Sequence, residues 1–481
     1  LGFRFGSREN ENDGEYLYDE FFSSTDITTR YSTTSLSERN NKWLSLNGGY
    51  VHKFINNPDH TLKLNGNINR STGEEQTVSE QRDGGGVLTD GRSSRSSGPR
   101  YNGQARIDYV LPLESGMKFE SGYMGRWENR TAETWLDTVD LATGNYINDQ
   151  QYSYTAEAYQ NIQALYAIYS QSLERFSYQF GLRGEYTYRD ISVTEDSESF
   201  LIDQLDYFPT IHLTYNLPHD HKLALSYSRR IERVRPWDLH PFIVWVDAYN
   251  VRQGNPALEN QYIDALELGY MKQYELFYLS VEGYYRITHN KVERISTVYQ
   301  DNVMLQKPYN VGEDYTFGLE GSVNTTLFKF WEINLMGTLY DYQLEGEYDG
   351  RVFDKQSFNW NGRLNNTFRL GKNHQIQLNG QYNSKTATAQ GENSGFQTWN
   401  GAYKVDFYDK KFSAILQVRD IFGTGQWEGY TSSPTLYNYN LFEPRSPIFT
   451  LTLTYRINNY KAKRNGGVQS GEMDGGGNGE E

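Results

Sequence analysis

The chain has 481 residues, no cysteine and a formal net charge of −15. Without thiols a disulfide framework, a zinc ribbon and a cysteine nucleophile are excluded, and the acidic balance argues against nucleic acid as a partner. Mean hydropathy is −0.76 and no apolar run reaches the roughly 18 residues of a membrane helix; crossing by strands stays open, because only alternate residues of a barrel strand face lipid.

Taken in chain order, residues 1–9 read as a strand descending to a short turn near Asn10–Gly14. Further short turns are expected at Asn56–Asp59, Pro112–Gly116, Gln171–Glu174, Pro218–His221, Lys272–Glu275, Phe328–Trp331, Gly371–His374 and Asp409–Lys411. Long polar connections at 75–98, 136–150, 191–203, 231–259, 295–310, 385–395 and 424–446 alternate with them, and shorter ones fall at 35–40 and 346–351. Gly/Ser-rich residues 81–98 read as a mobile surface loop.

Between the turns, apolar and polar side chains alternate with the period of a strand. Phe176, Tyr178, Phe180, Leu182, Tyr186 and Tyr188 oppose Ser177, Gln179, Arg183, Glu185, Thr187 and Arg189. The pattern returns at 223–230, 277–288 and 375–382, and at 449–457, where Phe449, Leu451, Leu453, Tyr455 and Ile457 oppose Thr450, Thr452, Thr454 and Arg456. Repetition of one oily and one wet face along the whole chain, with 15% aromatic residues to supply interfacial girdles, predicts an all-β fold: a transmembrane antiparallel β-barrel of the bacterial outer membrane. Tyrosine's preference for strands is a simpler source of the aromatics. The segments amount to about nineteen strands of an expected ~22, with short turns on the periplasmic side, and an odd number of strands would precede Leu1. The barrel is expected over 1–458, and 459–481 as a disordered Gly-rich, acidic periplasmic tail.

Residues 228–270 carry the most distinctive pattern: Ser228-Arg229-Arg230-Ile231, then Arg235-Pro236, Leu239 and Pro241-Phe242, then Gly254-Asn255-Pro256 and Leu258, then Glu267-Leu268-Gly269-Tyr270. In order and spacing this resembles the TonB-dependent receptors, in particular their outer-membrane barrel branch of Bacteroidota type; His240 and Asn260 depart from the usual Asn and Pro. The resemblance covers the barrel portion. It implies TonB-dependent uptake of a scarce nutrient such as a ferric siderophore, with a plug domain and the TonB complex engaged through an N-terminal part outside this sequence. Other partners implied are outer-membrane lipid and lipopolysaccharide; no cofactor is expected.

For an anionic ligand the candidate contacts are Arg229, Arg230, Arg233 and Arg235, with Trp237 and Trp245 beside them, since guanidinium groups pair with carboxylate, catecholate or phosphate oxygens. Salt bridges to Glu232, Asp238 or plug carboxylates, or contacts with lipopolysaccharide phosphate, are the structural alternative. Phe242–Trp245 reads as a short strand within the loop cluster and Asn255-Pro256 as a turn. No catalytic motif is present, His219 and His221 share a polar turn, and Asp301 and Glu313 are weak calcium candidates. A non-transporting anchor or adhesin, and a passive porin with an inward-folded constriction loop, remain as other functions for such a barrel.

Overall fold

The computed structural model describes residues 1–23, 26–55, 57–193, 199–247, 249–300, 303–434 and 436–457. Among these there is no α-helix; strands build one 21-stranded sheet and a separate 4-stranded sheet. Three members of the large sheet, Tyr146–Asn148, Ile243–Asp247 and Asn250–Gln253, are short strands in connections, which leaves eighteen that form the wall. From Gly2–Ser23 to Ile448–Tyr455 each wall strand is antiparallel to the next. The sheet curls until Arg445, just before the last strand, lies 3.9 Å from Asp13 of the first. The two end strands themselves are not hydrogen-bonded to each other among the described residues.

The alternation sorts as a lipid-embedded wall requires. On Trp331–Tyr348, Leu335 and Leu339 are each 49% exposed on the outer face. Behind them Asn334 accepts a hydrogen bond from Asn365 at 3.0 Å on the lumen face. Rings mark both ends of this belt: Trp331 stacks on Phe368 at the turn end, and Trp360 on Tyr382 higher up. From Trp331 to Leu339 is about nine residues, the number a tilted strand needs to cross a bilayer. Most of the wall strands are much longer than that, up to 28 residues in Asp26–Lys53, although Phe412–Arg419 and Ile448–Tyr455 have 8 each. The long strands continue past the membrane into an external structure.

The eight short turns from 54–60 onward fall where they are expected, but three features differ. Residues 10–14 and 35–40 are not connections: Asn10 pairs with Arg39 and Gly14 with Ser35 inside one uninterrupted hairpin. The first strand therefore rises from the turn side, with Leu1 beside Gly48, and the inference of an odd number of preceding strands falls with its assumed direction. Eighteen wall strands nonetheless lie within the expected range. Of the connection expected at 75–98, residues 75–83 and 88–98 are strand, not mobile loop; only 84–87 turn. There the polar side chains answer the next strand, as in the Arg95–Glu74 pair at 2.8 Å, and cross-strand pairing overrides the weak strand propensity of Ser and Gly. The tail at 459–481 lies outside the described residues.

Candidate ligand site

Above the belt the wall changes character. The lumen face, polar within the membrane, becomes apolar and buried: Ile191, Ile295, Val311 and Leu344 are each at most 6% exposed. Two segments fold inward to cover it. Ala389, from the connection 384–395, packs on Ile295, Val311 and Leu344, while Leu239 and Leu258, from the connection 233–260, pack on Ile191. Gln390 fastens the first by donating to Ser296 O and accepting from Ser296 N, at 3.1 and 2.7 Å.

The 233–260 segment is a strap across the mouth. It leaves the wall at Glu232 and rejoins at Gln261, and between these roots it forms a one-turn 3₁₀ helix at Pro236–Leu239 and a hairpin of Ile243–Asp247 with Asn250–Gln253. The helix and hairpin are clamped by close backbone approach: Asn255 N donates to Asp238 O at 2.6 Å, and a Cβ on Gly254 would lie 2.4 Å from His240 N. Only glycine fits there. The hairpin reaches the far wall on two sides. Asn250–Arg252 runs parallel to Met304–Gln306, and at the tip Tyr249 stacks on Tyr31 at 4.6 Å and accepts from Gln81 Nε2 at 2.6 Å. Asn260 and Glu259 tie the root to a bulge at Asn290, whose φ of 54° re-aims the ladder.

The six sequence-predicted ligand residues do not form one group. Register puts Arg229 on the face of Leu225 and Tyr227, the lipid side, where it lies 3.3 Å from Asp264. Arg230 faces the lumen, 60% exposed and 4.0 Å from Glu267. Arg233 is consumed by a pair with Glu185, which also holds Arg183. Arg235 and Trp237 are exposed on the strap, and Trp237 stacks on His240. Trp245 sits across the mouth under the Arg92 guanidinium, 3.3 Å from the ring centre, with Tyr152 and Tyr299 edge-on. Arg229 and Arg233 are thus salt-bridged, but to Asp264 and Glu185 and not to Glu232 or Asp238, while Arg230, Arg235 and Trp237 are accessible. Phe242 precedes the strand expected there and stacks on Tyr154 at 3.7 Å; Asn255 makes the expected turn, accepting from Ala257 N.

His221 bonds Tyr270 and Lys272, both at 2.6 Å, and Glu313 bonds His289 and Tyr315; Asp301 lies outside the described residues. Among the described residues no cluster of His, Asp and Glu is arranged to hold a metal.

Burial sets the charges under the strap. Desolvation, helped by the nearby Arg130 cation, holds His240 down at about 4, so the ring is neutral at ordinary pH. Burial pushes the Tyr154 hydroxyl up to about 12, and it lies 3.4 Å from His240 Nδ1. Arg92, Arg130, Arg189 and the strap's aromatic partners at Tyr31, Tyr152 and Tyr154 were not singled out as site residues by sequence. One local signal was present: on 176–193 the polar face ends at Arg189 and continues as Ile191 and Val193.

A model of the outer membrane protein β-barrel family matches residues 52–455. No curated protein matches the chain in sequence. Among solved structures, the siderophore receptor PiuA from Acinetobacter baumannii superposes with a TM-score of 0.54 at 10% identity, covering 93% of this chain and 78% of that one. The unliganded ferric citrate transporter FecA gives 0.55 at 12% identity, over 88% and 70% of the two chains. The copper transporter OprC gives 0.54 at 10%, over 87% and 74%. At such identities the likeness is one of fold.

Proposed function

The chain belongs to the outer membrane protein β-barrel family, and we propose that it serves in the bacterial outer membrane as a receptor and transporter that takes up a scarce solute, such as a ferric siderophore, in a TonB-dependent manner. The observation that carries this is the external half of the wall: strands of up to 28 residues, where roughly 9–11 would cross, end in a mouth closed over by a stitched strap. A channel for free diffusion gains nothing from so much ordered structure outside the lipid. A receptor gains a surface on which a ligand can be captured and a barrier that capture can open. The accessible Arg230, Arg235 and Trp237 are the contacts best placed for that capture. Siderophore, ferric citrate and copper transport by proteins of the same fold supports the reading, as does the sequence pattern at 228–270. Energy would enter through a plug domain and the TonB complex.

The inward fold of the strap also favours a second function, a passive porin with a constriction. Uptake distinguishes the two. Cells carrying the intact receptor should accumulate a radiolabelled ferric siderophore only while the inner membrane is energised. Uptake that persists after a protonophore, or steady ion conductance of the purified protein in planar bilayers, would favour the porin and overturn the receptor.

A further inference from the structure

Beneath the strap the wall holds a buried arginine whose Nε has no hydrogen-bond partner among the described residues. Arg189 is 6% exposed and Thr187 2%, two residues apart on the lumen face of Phe176–Val193. Neither Arg189 Nε nor Thr187 Oγ1 has a hydrogen-bond partner among the described residues. The positions on either side are taken up by the strap: Glu185 below pairs with Arg233 at its root, and Ile191 above packs under Leu239 and Leu258. The strap therefore covers Arg189, and no described residue of it bonds Arg189 Nε. Burial alone draws the guanidinium down to about 10, which leaves it cationic at neutral pH. A buried cation without a counter-charge is costly, and a site that retains one has donors ready for an anion.

We propose that Arg189 and Thr187 form an anion subsite, for a carboxylate or phosphate group of the captured solute, kept dry under the strap and presented when the strap lifts. The strap can act as a cover because, between its roots, it is held by separate noncovalent contacts: the three-residue parallel ladder at Asn250–Arg252, Tyr249 at the tip, Trp245 under Arg92, Phe242 on Tyr154 and the Asp238–Arg294 pair. This rests on the receptor reading insofar as the solute arrives from outside, but binding is measured without transport, so failure of energised uptake would leave it standing.

The test uses the purified full-length receptor in nanodiscs, titrated calorimetrically with citrate and, separately, inorganic phosphate. At least one anion should bind, with affinity reduced about tenfold in R189Q and little changed in R189K, the loss expected when a charge-assisted hydrogen bond goes. Thr187→Val, which keeps shape and charge, should weaken the same anion by a few fold. R189Q removes a buried charge, so its Tm should hold or rise; a purely structural arginine would lower it. The chain has no native cysteine, so V251C/L305C places a reversible lock on the strap ladder: binding should fall on oxidation and return on reduction. Binding by R189Q equal to wild type, or no binding of either anion by wild type, overturns the subsite. Equal binding by the oxidised and reduced lock overturns the cover.

Discussion

The wall within the lipid belt and the same strands above it share one sheet but have opposite chemistry. In the belt the outer face is oily and the lumen face wet, because the solvent outside is hydrocarbon. Above it the outer face meets water, and charged pairs such as Arg95–Glu74 at 2.8 Å sit there. The lumen face becomes the dry one, with Leu344 fully buried under an inward-folded connection. Phe277–Gln300 and Val303–Leu327 achieve this through the bulge at 288–292, above which Ile295 and Val311 face the lumen, whereas Trp331–Tyr348 keeps its alternation from Leu339 to Leu344. The side chains simply exchange roles, and it is the exchange that turns an open wall into a seat for the strap.

The comparison breaks most visibly under charge. Leu335→Arg, in mid-belt on the outer face, should cost about 2–4 kcal/mol of folding stability in lipid vesicles, while Met336→Arg, its lumen-facing neighbour, should cost close to nothing; equal costs would mean the faces are misassigned. Next in size, Leu344→Ala should cost about 2–5 kcal/mol by opening a cavity above the belt. Its effect should appear in hydrogen exchange of 384–395 and 293–311, not in the belt. Acid gives an effect of the order of 3 kcal/mol at most. His240 is held at about 4 when folded, below its unfolded value, so the unfolded segment binds a proton that the docked strap refuses. Stability of the strap is then intact above about pH 6.5, falls as pH drops, and levels off near 4. Exchange protection of 233–260 should follow that curve, and His240→Phe should flatten it; Arg130, Tyr154 and Asp238 are the titratable or charged neighbours to hold constant. The smallest effect is expected at the strap tip, where Arg92→Ala removes a cation–π contact of about 0.5–2 kcal/mol. Trp245 fluorescence should report the loosened ring without a change in overall Tm.

The belt could be read from sequence because lipid imposes a strict rule: every second residue must be apolar, and 176–188, 277–287 and 449–457 obey it. The turns were equally plain, as Pro112–Gly116 and Gly371–His374 show. Above the belt no such rule acts, and polar runs such as 88–98 look like loop although each side chain answers one on the neighbouring strand. The strap was half visible: its first short strand and the turn at Asn255 follow from residues 242–258, but the hairpin partner and the reach to Tyr31, Gln81 and Arg92, positions more than 150 residues away, are encoded by no local pattern. Four clustered arginines drew attention to one strand end. Only register shows that Arg229 and Arg230 point to opposite sides of the wall, and only burial shows Arg189.

Spin labels placed singly along Trp331–Tyr348, in the receptor reconstituted in a bilayer, test the inversion most directly. Odd positions from 331 to 339 should be accessible to oxygen and shielded from a water-soluble nickel relaxant, and should lose that preference from 341 onward. Even positions should be open to nickel at 334–338 and protected from both reagents at 344. A lumen face that stays open to nickel through 344, or an outer face that keeps its preference for oxygen beyond 341, would contradict the exchange of faces on which the strap and its covered arginine depend.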